Sequence, residues 1–101
     1  MQSMEEFDVK VFGWASDRRI IQNSNAVTQF AKLVSEVGEL ADNVTKGKDV
    51  RDDIGDCMVV LAVIAHMNNT SLSECAEVAW NDIKDRVGYL NENGVFIKET
   101  V

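Results

Sequence analysis

No proline occurs anywhere in this chain, and its apolar residues return every three or four positions instead of alternating. That spacing lines them up along one side of a helix, and nothing breaks the helices from within, so the sequence predicts an all-α fold. Four main helices are legible. The first runs from about residue 4 to 18, opened by a capping-box pattern at Ser3 and Glu6, with Met4, Phe7, Val11 and Trp14 on one side. Gln22 to Asn25 interrupt the pattern. The second spans about 26 to 46, with Phe30, Leu33, Val34, Val37, Leu40, Ala41 and Val44 as its expected core stripe and Gly47 as its stop. The third begins after Asp49, which with Asp52 resembles another capping box, and continues to about Met67. The fourth, opened by Ser71 and Glu74, carries Leu72, Ala76, Ala79, Ile83, Val87 and Leu90. Asn91 to Gly94 then turn the chain into a short apolar tail, Val95 to Ile97.

Met58 to Ala65 contains no polar residue, which marks a helix surrounded by protein on most sides, another subunit included. The 101 residues, read as a single domain 1–101, lie near the size at which partner subunits help to bury apolar surface, so a homodimer or homotetramer is expected. Seventeen acids against 10 Lys and Arg leave a net charge of −7, which excludes a nucleic-acid polymer as ligand because phosphate neutralisation needs a basic surface. No run approaches the roughly 18 apolar residues of a membrane span. The acidic start, with Glu5, Glu6 and Asp8, is unlike a signal peptide, so a cytoplasmic location is expected. Cys57 and Cys75 sit in apolar helical sequence without a Cys-x-x-Cys pattern and read as buried free thiols.

Two segments repeat one design: Glu36-Val37-Gly38-Glu39 and Asp53-Ile54-Gly55-Asp56. Like charges one turn apart repel by a few tenths of a kcal/mol, and a mid-helix glycine costs about 1 kcal/mol relative to alanine. Breaking both rules twice, in matching places, is what a functional site requires. Helical counting puts Glu36 and Glu39 with Lys32 and Asn43, away from the Phe30, Val34 and Val37 stripe, where taken alone they form a solvated face. Asp53 and Asp56 instead head an apolar stripe of Val60, Val63, Ile64 and Met67. Asp49 and Asp52 are accounted for by the macrodipole at a helix start; Asp56 lies too far in for that and needs a partner to offset its desolvation. A cation accounts for all four acids together. Oxygen ligands without histidine or cysteine select magnesium or manganese, and magnesium held by a few carboxylates leaves positions for the phosphates of a nucleotide. His66, the sole histidine, reads as a packed or surface helix residue.

The order Lys32-x-x-x-Glu36-x-x-Glu39, a short loop, Asp53-x-x-Asp56 and then Asn81-x-x-Lys84 resembles the MazG-like all-α nucleoside triphosphate pyrophosphohydrolases, relatives of the dimeric dUTPases. The resemblance covers roughly residues 25 to 98. It implies a four-helix MazG-like domain assembling into an oligomeric helical bundle, with Glu36, Glu39, Asp53 and Asp56 as catalytic magnesium ligands. It further implies hydrolysis of a nucleoside triphosphate to the monophosphate and pyrophosphate. Asn81 and Lys84, with Arg86 beyond them, are then phosphate or sugar contacts. Asp53 stands where the family pattern has Glu; being one methylene shorter, it shifts one metal position or bridges to it through water. Lys32 either pairs with Glu36 one turn on or reaches phosphate. Trp14 and Trp80 are candidates for stacking on a base, although helical aromatics are more often core, and Lys46-Gly47-Lys48 is a polyphosphate-closing loop or a solvated turn. The rival readings are a helical dimerisation or adaptor module with an acidic surface, and an inactive relative that binds nucleotide or metal.

Overall fold

A computed structural model describes residues 1–99; Thr100 and Val101, the end of the expected domain, lie outside the described residues. Among the described residues five helices, α1 (Met4–Asp17), α2 (Ile20–Asn23), α3 (Ala26–Thr45), α4 (Arg51–Met67) and α5 (Leu72–Ile83), precede an antiparallel pair of short strands, β1 (Gly88–Leu90) and β2 (Phe96–Lys98). The body of the fold is all-α as expected, with five helices where the periodicity predicts four.

Local chemistry explains most boundaries. Ser3 and Glu6 exchange the two hydrogen bonds of a capping box at 3.1 and 3.2 Å. Arg19, in the left-handed region at φ 60°, redirects the chain into α2, so that half of the polar stretch read as a break is a helical turn. The Asn25 side chain then accepts from Thr28 N at 2.8 Å and starts α3. Gly47, at φ 67°, ends it. The start of α4 departs from expectation. Val50 takes the cap position without a side-chain bond, because Asp49 is drawn to Arg51, accepting from its backbone N–H at 3.0 Å and pairing with its guanidinium at 2.6 Å. Ser71 caps α5 through Glu74 N at 3.2 Å. That helix stops at Ile83, well short of Leu90. Val87 and Leu90 continue the helical spacing by coincidence; Tyr89 pairs with Ile97 across the hairpin, and the Asn91 carboxamide oxygen accepts from Asn93 N and Val95 N, both at 2.9 Å, to close its turn.

α3 and α4 form the principal helix pair, while α1 leans on α4 and α5 packs on α1 and α4 but not on α3. The core is small. Val11 and Ala15 of α1 meet Ala62 and Val63 of α4, with Phe7, Ile20, Ile21, Val59, Met67 and Leu72 around them. Val60 and Ala65 are also buried, whereas Leu61 lies at the surface, so the apolar run of α4 is enclosed on most but not all sides. Cys57 is buried as expected; Cys75 is exposed, because it lines an open apolar groove between α5 and Met58, Leu61 and Ile64 of α4.

Most of the expected core stripe of α3 faces outward, and only Leu33 and Leu40 are half-buried. Phe30 is 60% exposed and Val34 56%, with Val27, Val37 and Val44 also at the surface, and the one buried residue of the helix is Glu36. Periodicity reports that a face needs cover; it does not say what covers it.

One buried acid ties three helices together. Asp8 of α1, 4% exposed, accepts hydrogen bonds from Leu72 N at 2.8 Å and Ser73 N at 2.9 Å, capping α5 from another helix. His66 of α4 lies beside it, with Nε2 3.1 Å from the Asp8 carbonyl oxygen and its ring edge-on to Phe12. Burial pushes the Asp8 carboxyl up, but the bonds from Ser73 and Leu72 outweigh it and hold the pKa below its ordinary value.

Candidate metal centre

Along α3 the helical repeat sets Lys32, Glu36, Glu39 and Asn43 in one row, and α4 turns Asp53 and Asp56 toward it. Packing brings oxygens of Glu36, Glu39 and Asp56 within 4.8 Å of one another. Asp53 stands outside that set. Asn43 Nδ2 donates to both of its carboxylate oxygens, at 3.1 and 3.0 Å, tying the end of α3 to the first turn of α4. Lys32 Nζ lies 3.0 Å from Glu36 Oε1, so in this structure the lysine makes the ion pair one turn along its own helix. Among the described residues, and apart from the helix's own adjacent backbone, nothing lies within 4 Å of where a Cβ would stand at Gly38 or Gly55, so packing among those residues does not explain them.

The electrostatics are those of a site short of positive charge. The neighbouring Glu36, through its charge and a hydrogen bond, raises the Glu39 pKa. Burial, then the charges of Asp52, Glu36 and Asp53, raises that of Asp56. Lys32 is held protonated above its ordinary range by its bond to Glu36. Three converging carboxylates with one ammonium beside them, all donors being oxygen, fit a hard divalent cation.

α1 and α3 both flank α4 without packing on each other, and a cleft of about 790 Å³ opens between them. Glu36 and Asp56 form part of its wall. The remainder is Lys10, Val11 and Trp14 from α1, Ile20 from α2, Thr28, Gln29 and Lys32 from α3, and Val59, Val60 and Val63 from α4. Trp14 therefore lines the cleft, with the Arg18 guanidinium 4.8 Å from its ring centre and bonded to its carbonyl oxygen at 3.1 Å. Trp80, on α5, is exposed and away from the cleft.

The remaining sequence candidates lie elsewhere in the single chain. Asn81 sits in a shallow recess with Glu5, Glu74 and Glu77, Lys84 is exposed at the end of α5, and Arg86 pairs with Asp82 at 2.8 Å. Lys46 pairs with Asp42 at 2.7 Å in the loop that joins the acidic helices. Lys10, Thr28 and Gln29 belong to no motif and were not singled out in the sequence. Following the Lys32–Glu36 row toward the start of α3 leads to Thr28 and Gln29, whereas nothing local indicates that Lys10 faces them.

No family model matches the chain. An uncharacterized 18.2 kDa protein from the rep-hol intergenic region of Haemophilus phage HP1 is 37% identical over 71 residues, which are 68% of this chain and 44% of that protein. The chain thus spans less than half the length of that relative. Among solved structures, a MazG-like pyrophosphohydrolase of cyanophage S-2L, bound to dGDP and three catalytic Mn2+ ions per active site, superposes with a TM-score of 0.71. Identity is 17%, over 99% of this chain and 100% of that one. The chain has the MazG-like fold. No helix among the described residues is long and apolar enough to cross a membrane.

Proposed function

We propose that this chain is a magnesium-dependent nucleotide pyrophosphohydrolase that converts a nucleoside triphosphate to the monophosphate and pyrophosphate, with manganese as a substitute metal. The observation that carries the reading is the convergence of Glu36, Glu39 and Asp56 within 4.8 Å, with Glu36 and Asp56 in the wall of a cleft large enough for a nucleoside. The MazG-like fold supports it, as does what the cyanophage protein binds.

In this reading Glu36, Glu39 and Asp56 hold the metal, and Asp53, kept in place by Asn43, is the fourth ligand. Bound there, magnesium would supply charge neutralisation for the polyphosphate and a lowered pKa for a bound water. One of the carboxylates takes the proton that this water loses. The apolar walls of the cleft exclude water from the base and sugar, and Trp14 offers a ring to stack on. A second copy of the chain covers the outer face of α3, giving a homodimer or homotetramer, and Asn81, Lys84 and Arg86 act on phosphate or sugar across that interface.

The test is product analysis. Purified chain, given magnesium and a panel of canonical and modified nucleoside triphosphates, should release pyrophosphate. Release of orthophosphate with the diphosphate as the other product overturns the assigned bond, and inactivity across the panel favours an adaptor or an inactive binding protein.

A further inference from the structure

Among the described residues Gln29 is the only carboxamide lining the cleft. It stands two turns before Glu36 on the same face of α3, so about 10 Å of helix separates it from the acid set, a span that a sugar and a base fill. Its Nε2 donates to Ser24 Oγ at 3.1 Å in a partly buried bond. That bond uses one amide hydrogen and holds the side chain against the turn before α3, and the carboxamide keeps a second N–H donor and its carbonyl acceptor. Val11, Ile20 and Val59 supply apolar wall and Lys10, Thr28 and Lys32 supply other polar groups of the cleft outside the acid set, none of them a carboxamide, so a base edge that fails to match Gln29 loses a paired donor and acceptor that no other side chain there offers.

We propose that Gln29 is the residue that reads the base, with Ser24 as its positioning residue; this rests on the nucleotide reading of the cleft given above. A carboxamide complements a base edge bearing one acceptor beside one donor. A carboxylate in its place presents two acceptors and suits two adjacent donors, which guanine alone of the four common bases carries on its pairing edge. Position 29 therefore ranks the bases, while the acid set handles the phosphates without regard to the base.

The experiment is equilibrium titration with magnesium and the α,β-methylene analogues of dATP, dGTP, dCTP and dTTP, which resist cleavage between the first two phosphorus atoms. Inorganic tripolyphosphate, having no base, reports on the phosphate site alone. Wild type should prefer one analogue over the weakest by about tenfold or more. Gln29→Met, of similar length and without a polar group, should bring the four within about threefold of each other, and Gln29→Glu should reorder them toward the guanine analogue. Ser24→Ala should narrow the spread less than Gln29→Met. Tripolyphosphate should bind all variants alike, which a variant with a damaged fold would not do. The proposal is overturned by a wild type that binds the four equally or not at all. It is overturned equally by an unchanged ranking in both Gln29 variants, or by equal losses for all analogues and tripolyphosphate. Pyrophosphate release with an unchanged ranking defeats the base-reading role and leaves the hydrolase standing; reordered binding without pyrophosphate release does the reverse.

Discussion

Replacing Asp8 by alanine should destabilise the chain severely although the residue is remote from the acid set. The carboxylate is 4% exposed and accepts two backbone hydrogen bonds, at 2.8 and 2.9 Å, from the first turn of α5. A hydrogen bond with one charged partner contributes about 1.5–3 kcal/mol net, and losing a helix cap costs about 1–2 kcal/mol. The two bonds share one carboxylate whose burial is itself unfavourable, so they do not add, and a net loss of about 2–4 kcal/mol is expected. Against a total of about 5–15 kcal/mol for a domain of this kind, that is a large fraction. Urea denaturation at matched chain concentration should show the midpoint lowered by about 1–2 M with an unchanged slope. Asp8→Asn, which keeps the shape and removes the charge, supplies the pH arm. Because the folded pKa lies below the unfolded value of 3.8, the charge stabilises fully above that value and its contribution disappears as pH falls through the folded one. The gap between wild type and Asp8→Asn should therefore be complete at neutral pH and close in acid. An Asp8→Ala midpoint within about 0.3 M of wild type would show that water or Ser71 serves these amides equally well.

Two further outcomes are expected. Asp56→Asn should abolish turnover without unfolding the chain and, without metal, leave it slightly more stable, since burial and the charges of Asp52, Glu36 and Asp53 all disfavour the ionised group. Magnesium should raise the melting temperature of wild type more than that of this mutant, and an identical magnesium response with full activity would remove Asp56 from the ligand set. Light scattering should give at least twice the 11.2 kDa chain mass, with Phe30→Asp shifting the species toward monomer; a monomeric wild type at micromolar concentration would mean that the outer face of α3 stays bare.

What was legible in the sequence is what depends on near neighbours. The cap at Ser3, the stop at Gly47 and the matching acid pairs all involve residues within a turn of each other, so spacing alone exposes them. The hairpin was hidden because Val87 and Leu90 continue from Ile83 a helical spacing that the chain abandons there; the partner that decides the matter, Phe96–Lys98, lies beyond a turn. Asp8 gave no signal at all, since its partners Leu72 and Ser73 are 64 and 65 residues away. Asn43 was placed on the acidic row, but its hold on Asp53 depends on how two helices meet. The stripe of α3 was read correctly as a face, but only Leu33 and Leu40 of it are half-buried while Phe30, Val34, Val37 and Val44 are exposed, for periodicity does not say what covers a face.

The Lys32–Glu36 pair has a bearing on how such a site fills. Without metal, the ammonium 3.0 Å from Glu36 is a resident counter-ion, and it keeps the nearly buried carboxylate from standing uncompensated against Glu39 and Asp56. A divalent ion taking Glu36 would evict that ammonium, and the lysine, tethered on α3 and already lining the cleft, would be left facing it with its charge unspent. On the proposed function, the two roles open to Lys32, ion pair and phosphate contact, would then be successive stations of one side chain. The exchange of one cation for another would arm the cleft for an anionic ligand at the moment the metal arrives.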